Sequence, residues 1–101
     1  MIALLLAASD HIEDIVKTHI NPLGFSYVRY RQALKAMDNI DEVNPDAVII
    51  SAEDFPRHWK ILAQFIRNER SKNKTTIVIL KGKNFAYDEA AKAAHIGING
   101  I

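Results

Sequence analysis

The residues best placed for chemistry follow the two most apolar runs of the chain. Ile2-Ala3-Leu4-Leu5-Leu6 leads into Ala7-Ala8-Ser9-Asp10, and Ala47-Val48-Ile49-Ile50 leads into Ser51-Ala52-Glu53-Asp54. Loops after such strands in a parallel α/β sheet are where ligands and catalytic groups gather. Asp10, Glu53 and Asp54 could there share a displaced cation. The simpler reading makes Asp10 a helix cap and leaves Glu53 and Asp54 as solvated loop charges. Lys81 follows the run Ile77-Val78-Ile79-Leu80. It could reach over Ser51 toward Glu53 or Asp54 and hold the mouth shut, or simply face solvent. The strand ends themselves carry Ala7, Ala8 and Ser51. A site handling phosphate with a divalent cation needs carboxylate oxygens there, and methyl groups supply none. Ser51 has no base nearby to activate it as a nucleophile.

Other chemistry is thin. His11, His19, His58 and His95 are scattered and show no zinc-type helical pairing. Lys81-Gly82-Lys83 lacks the glycine-rich helix start of a phosphate loop. There is no cysteine, which excludes disulfides, zinc thiolates and thiol catalysis, and suits a reducing cytoplasm. The mostly basic run Arg67–Lys74, with Tyr27, Arg29, Tyr30 and Arg31, could suggest a nucleic-acid surface. A polar helix end plus a charged edge strand explains it better, and a net charge of +1 argues against nucleic acid and anionic membranes as partners. The apolar start Met1–Ala8 is too short to span a bilayer and has no basic segment before it.

The elements that must position these residues alternate. Ile2–Ala8 is a continuous apolar run, as in a central strand covered on both faces. Asp10-His11-Ile12-Glu13 fits a capping box with Asp10 as N-cap. Ile12, Ile15, Val16 and Ile20 then share a helical face, and Asn21-Pro22 with Gly24 ends that helix. Phe25–Tyr30 is a second strand, placed at the sheet edge by the charges of Arg29 and Arg31. Gln32 to about Asn39 reads as a short helix. Ala47–Ser51 is the third strand. His58 to about Arg70 is a helix whose stripe Trp59, Leu62, Phe65 and Ile66 faces a core. Thr75–Leu80 is a fourth strand, Asp88 to about Ala94 an Ala-rich helix, and Gly97–Ile101 the start of a fifth strand. At 101 residues this is one domain, and the alternation calls for a parallel sheet.

Pro45-Asp46-Ala47-Val48-Ile49-Ile50 resembles the third strand of bacterial response-regulator receiver domains, in which Pro-Asp and four apolar residues precede a phosphoacceptor Asp. That position falls on Ser51, and Pro56 matches the family's following proline one residue late. Ile2–Leu6 resembles the first strand, Ile77–Leu80 the fourth, and Gly97-Ile98-Asn99-Gly100-Ile101 the start of the fifth. The resemblance implies a three-layer flavodoxin-like sheet of five parallel strands, order 2-1-3-4-5. It also implies a degenerate pocket. The family's Mg²⁺-binding acidic pair falls on Ala7 and Ala8, its phosphoryl-binding Thr or Ser on Lys81, and its switching aromatic on Ile101.

Conventional phosphotransfer is therefore not expected. The reading is a pseudo-receiver with no cofactor or metal, acting in the bacterial cytoplasm through a protein partner or a homodimer. The sequence stops before the family's fifth helix, so this reads as the amino-terminal module of a longer protein with a carboxy-terminal output domain. A rival reading is a small-molecule or nucleotide binder at the strand tips. The small residues of Ala7-Ala8-Ser9-Asp10 would leave room for a ligand on amides at a helix start.

Overall fold

The computed structural model describes residues 1–70 and 74–80. β1 (Ile2–Leu6) leads to α1 (Asp10–Ile20) and a short 3-10 turn (Asn21–Leu23). Then come β2 (Ser26–Tyr30), α2 (Ala33–Val43), β3 (Ala47–Ser51), α3 (Trp59–Glu69) and β4 (Thr76–Leu80). The strands form one sheet, order β2-β1-β3-β4, with every pair parallel. This is the flavodoxin-like order expected for the first four strands. The expected helix at residues 88–94, the strand from residue 97 and the absence of a fifth helix fall outside the described residues.

Alternation along the strands sorts side chains to two faces. Ala3, Leu5 and Ala7 join Ala47 and Ile49 under Val16 of α1. Leu4, Leu6, Val48, Ile50, Ile77 and Ile79 point to the opposite face and pack on Ala36 and Ile40 of α2 and on Trp59, Leu62, Ala63 and Ile66 of α3. The stripe read in α3 is a core face, with Trp59 fully buried and Phe65 at its margin. β2 lies at the edge, and its exposed Val28 fits that place.

Two boundaries differ from expectation. α2 continues to Val43, because Ile40 and Val43 extend the apolar spacing of Ala36 past the polar Asp38-Asn39. It ends at Asn44, in the left-handed region at φ 48°, a conformation asparagine tolerates better than most residues. The N-cap of α1 is Ser9, not Asp10. Ser9 has extended backbone, and its Oγ accepts a long 3.5 Å bond from the Ile12 amide. Asp10 is the first helical residue, and its carboxylate turns instead to Arg29 and Arg31.

The sheet reverses its winding between β1 and β3. The crevice of such a fold opens at the carboxyl ends of these two neighbours, which feed the loops Ala7–Ser9 and Ala52–His58.

Candidate functional site

The loop between β1 and α1 contains three residues, and all of their backbone polar groups are engaged within the chain. The Ala7 amide donates to the Tyr30 carbonyl at 3.1 Å, and the Ser9 carbonyl accepts from the Glu13 amide at 3.2 Å. The amides of Ala8 and Ser9 both donate to Asp54 Oδ2, at 2.9 and 3.2 Å. The carbonyls of Ala7 and Ala8 accept from Arg29 Nε and Nη2, each at 3.0 Å. A carboxylate from one side and a guanidinium from the other thus hold a loop with no charged side chain of its own.

Arg29 was expected to be a charge guarding the sheet edge. Its side chain is instead only 10% exposed, while that of Arg31 is 64% exposed. The register places Arg29 beside Leu5, on the face that α1 covers. There Nη1 donates to Asp10 Oδ1 and to Glu13 Oε1, both at 2.7 Å. Tyr27, two residues earlier on the same face, donates its hydroxyl to Glu13 Oε2 at 3.0 Å. So Glu13 does not reach back to close a capping box. The Arg29 hydrogen bond, then the positive charges of Arg31 and Arg29, hold the Asp10 carboxyl below its ordinary range. The hydrogen bond to Glu13, reinforced by burial, raises the Tyr27 phenol. The bond to Asp10 raises Arg29 against an opposing effect of burial.

The sequence-predicted residues divide sharply. Ala7 and Ser51 are buried, and Ala8 is exposed. Ser51 Oγ accepts a 3.4 Å bond from the Asp54 amide, closing the turn after β3. Asp54 is half-buried and bonded across to the β1–α1 loop, so it is not the solvated loop charge of the simpler reading. Glu53 is exposed. Asp10 belongs to the arginine cluster on the α1 side. Among the described residues, no group of three His, Asp or Glu is arranged to hold a metal. Lys81 lies outside them. The sequence reading gave Arg29, Glu13 and Tyr27 other roles, as an edge charge, a capping-box partner and part of a charged edge strand, and did not bring them together. Their signal was the alternation of Tyr27 and Arg29 on a strand next to a helix carrying Glu13.

Arg67 and Arg70, at the carboxyl end of α3, are tied down at the other end of the sheet. Arg67 Nη1 donates to the Thr75 carbonyl at 2.8 Å. Arg70 donates to Thr75 Oγ1 and Asn44 Oδ1, both at 2.6 Å. Burial lowers the Arg67 guanidinium. Asp46 of the Pro-Asp pair accepts from the Ile2 amide at 2.9 Å. These arginines brace connections between elements. No helix among the described residues is long and apolar enough to cross a membrane.

The profile of the TP_0454_N family, an N-terminal domain, matches residues 1–98. The chain belongs to this family. An uncharacterized protein of Treponema pallidum (strain Nichols) is 31% identical over 102 residues, covering 100% of this chain. The chain spans 44% of that relative's length. Among solved structures, an orphan response regulator of H. pylori superposes with a TM-score of 0.81 at 17% identity, covering 99% of this chain and 79% of that one. A response regulator receiver protein from Burkholderia phymatum gives 0.72 at 13% identity, covering 98% and 78%. The pseudo-receiver domain of the CikA protein gives 0.69 at 17% identity, covering 98% and 80%. The fold of this family member is therefore that of a receiver domain.

Proposed function

We infer that this domain is a pseudo-receiver, a non-catalytic module of bacterial signal transduction that works in the cytoplasm by protein contact and without Asp phosphorylation. One observation carries the reading. Among the described residues, the mouth of the sheet is engaged by the chain's own groups: Ala7 and Ala8 bring only methyl side chains, Ser51 is buried, and Asp54 and Arg29 take up the loop backbone. Mg²⁺ requires oxygen ligands in octahedral array, and a serine hydroxyl cannot form the acyl phosphate on which receivers depend. Ala7, Ala8 and Ser51, which fall on the family's pocket positions, thus read as a relic of the phosphoacceptor site, and Lys81, assigned to the same site by the resemblance, lies outside the described residues. The same observation weighs against a nucleotide or small-molecule binder, since the amides at the start of α1 that would seat a phosphate already serve Asp54.

Contact through a docking or dimerisation surface is the role left to such a module. The greater length of the Treponema relative supports its place as the amino-terminal part of a longer protein with an output domain. Incubation with a small phosphodonor and Mg²⁺, read by intact mass, tests the chemistry. The mass should not change, and an added phosphoryl group overturns the reading. Sedimentation tests the contact. Self-association, or binding to the remainder of the full-length protein, supports it; a clean monomer with no affinity for that remainder counts against it.

A further inference from the structure

We propose that Arg29 and Asp54 form a two-sided lock on the β1–α1 loop. They act as an internal cation and an internal anion that hold Ala7–Ser9 in one conformation and couple edge strand β2 to the mouth of β3. The proposal rests on the pseudo-receiver reading, because it names what holds that site when no ligand does.

The lock meets at Ala8. Its amide donates to Asp54 at 2.9 Å, and its carbonyl accepts from Arg29 at 3.0 Å. The two charged groups therefore pull on opposite ends of one residue. In each of the loop's two peptide units, Ala7–Ala8 and Ala8–Ser9, the carbonyl accepts from Arg29 and the amide donates to Asp54. A peptide unit is planar and rigid, so a shift of either unit toward one charge draws it off the other. The flanking residues extend the same pattern. Of the two charged groups, Ser9 meets only the anion, through its amide, and Ala7 only the cation, through its carbonyl.

Arg29 has little freedom to compensate. It is almost fully covered, and four of its contacts are spread over Nε, Nη1 and Nη2, ending on Ala7, Ala8, Asp10 and Glu13. A guanidinium is a fixed fork of donors, so loss of one acceptor tilts the whole group. Glu13 is itself held by Tyr27, and Asp10 is shared with Arg31. The loop thus sits between a network anchored in β2 and α1 and a carboxylate anchored after β3. A change at the mouth of β3 would pass through Ala8 to the edge strand.

Hydrogen exchange by NMR on the isotope-labelled chain tests the lock. In Asp54→Ala, the Ala8 and Ser9 amides lose their acceptor and exchange faster. The coupling is read on the far side. The Arg29 Nε–H, which does not touch Asp54, should exchange about tenfold faster, the factor equivalent to ~1.4 kcal/mol. An unchanged Nε–H rate beside faster Ala8 exchange overturns the proposal. If Asp54→Ala does not fold, Arg29→Lys decides, because it keeps the charge and loses the fork. It should speed exchange at Ser9, whose amide touches Asp54 alone, and no change at Ser9 overturns the lock. A small phosphodonor with Mg²⁺ separates the two failures. Uptake of a phosphoryl group by the unmodified chain overturns the pseudo-receiver reading and with it the lock as a substitute for ligand. No uptake with unchanged exchange overturns the lock alone.

Discussion

The two ends of the sheet are both tied by arginine, and the ties differ in kind. At the amino ends of the strands, Arg67 and Arg70 reach carbonyl, hydroxyl and amide oxygens of Thr75, Asn44 and Pro45. These acceptors are neutral, and Thr75 and Pro45 are fully buried. The bonds join the connection before β3 to the connection before β4, satisfying polar groups that burial would otherwise leave costly. At the carboxyl ends, Arg29 reaches two carbonyls and two carboxylates, and Asp54 adds a third carboxylate across the loop. One end is braced by arginines on neutral acceptors, of which Thr75 and Pro45 are buried and Asn44 is exposed. The other is held by opposed full charges near water, at the place where this fold usually receives its ligand.

The largest expected effect comes from restoring the receiver's acid at the mouth. Ser51→Asp places a carboxylate at a position with 0% exposure, next to the turn that carries Asp54. Ala7 and Ala8 bring no side-chain oxygen to hold a neutralising divalent cation. An uncompensated buried charge of this kind costs ~3 kcal/mol or more. Urea unfolding should show a loss of that order, and the variant should still take no phosphoryl group. Full stability with phosphorylation would mean that the mouth is open to cations after all.

Next in size is the neutral end. Thr75 Oγ1 accepts from Arg70 Nε at 2.6 Å and donates to the Pro45 carbonyl at 3.3 Å. Thr75→Ala removes both and leaves the Pro45 carbonyl with only the longer bond from Arg70 Nη2, which costs about 1 kcal/mol. The loss should appear in thermal unfolding with the exchange of the Ala8 amide, at the opposite end, unchanged relative to global stability. Selective loosening of Ala8 would show that the two ends are not independent.

These two ends were unequally legible in the sequence. The strands could be read because Ile2–Leu6 and Ala47–Ile50 are continuous apolar runs, and burial on both faces demands such runs. The edge position of β2 could be read from its charges and weaker apolarity. The end of α2 was missed because Asp38 and Asn39 look like a stop, while the helix needs only Ile40 and Val43 on its inner face to continue. Choosing between Ser9 and Asp10 as N-cap needed a partner search. Both residue types cap well, and Arg29 and Arg31 draw Asp10 away. The lock was the least legible part. Asp54 and Ala8 are 46 residues apart, and Arg29 and Ala7 are 22 apart. Spacing along the chain says nothing about such pairs until the strand order is known. With order 2-1-3 in hand, Arg29 and Asp54 fall on either side of the same loop.

The smallest effect sharpens the comparison through pH. Asp10 has its pKa lowered from the ordinary value of 3.8, first by its bond to Arg29 and then by the charge of Arg31. A carboxyl with a depressed folded-state pKa binds fewer protons folded than unfolded in that window. Its contribution is present above the unfolded value and is lost as pH falls through the folded one. Asp10 is 77% exposed, so solvent and salt screen the contribution and keep it small. Urea midpoints of the unmodified chain and of Asp10→Asn, followed from about pH 6 to about pH 2.5, should differ at the upper end and converge at the lower. The cost of Thr75→Ala should not follow that course, because its partners are a guanidinium and a carbonyl, which do not titrate there. A difference for Asp10→Asn that stayed constant through acid would mean that its charge is not what Arg29 recognises, and the mouth would then be braced in the same neutral manner as the opposite end.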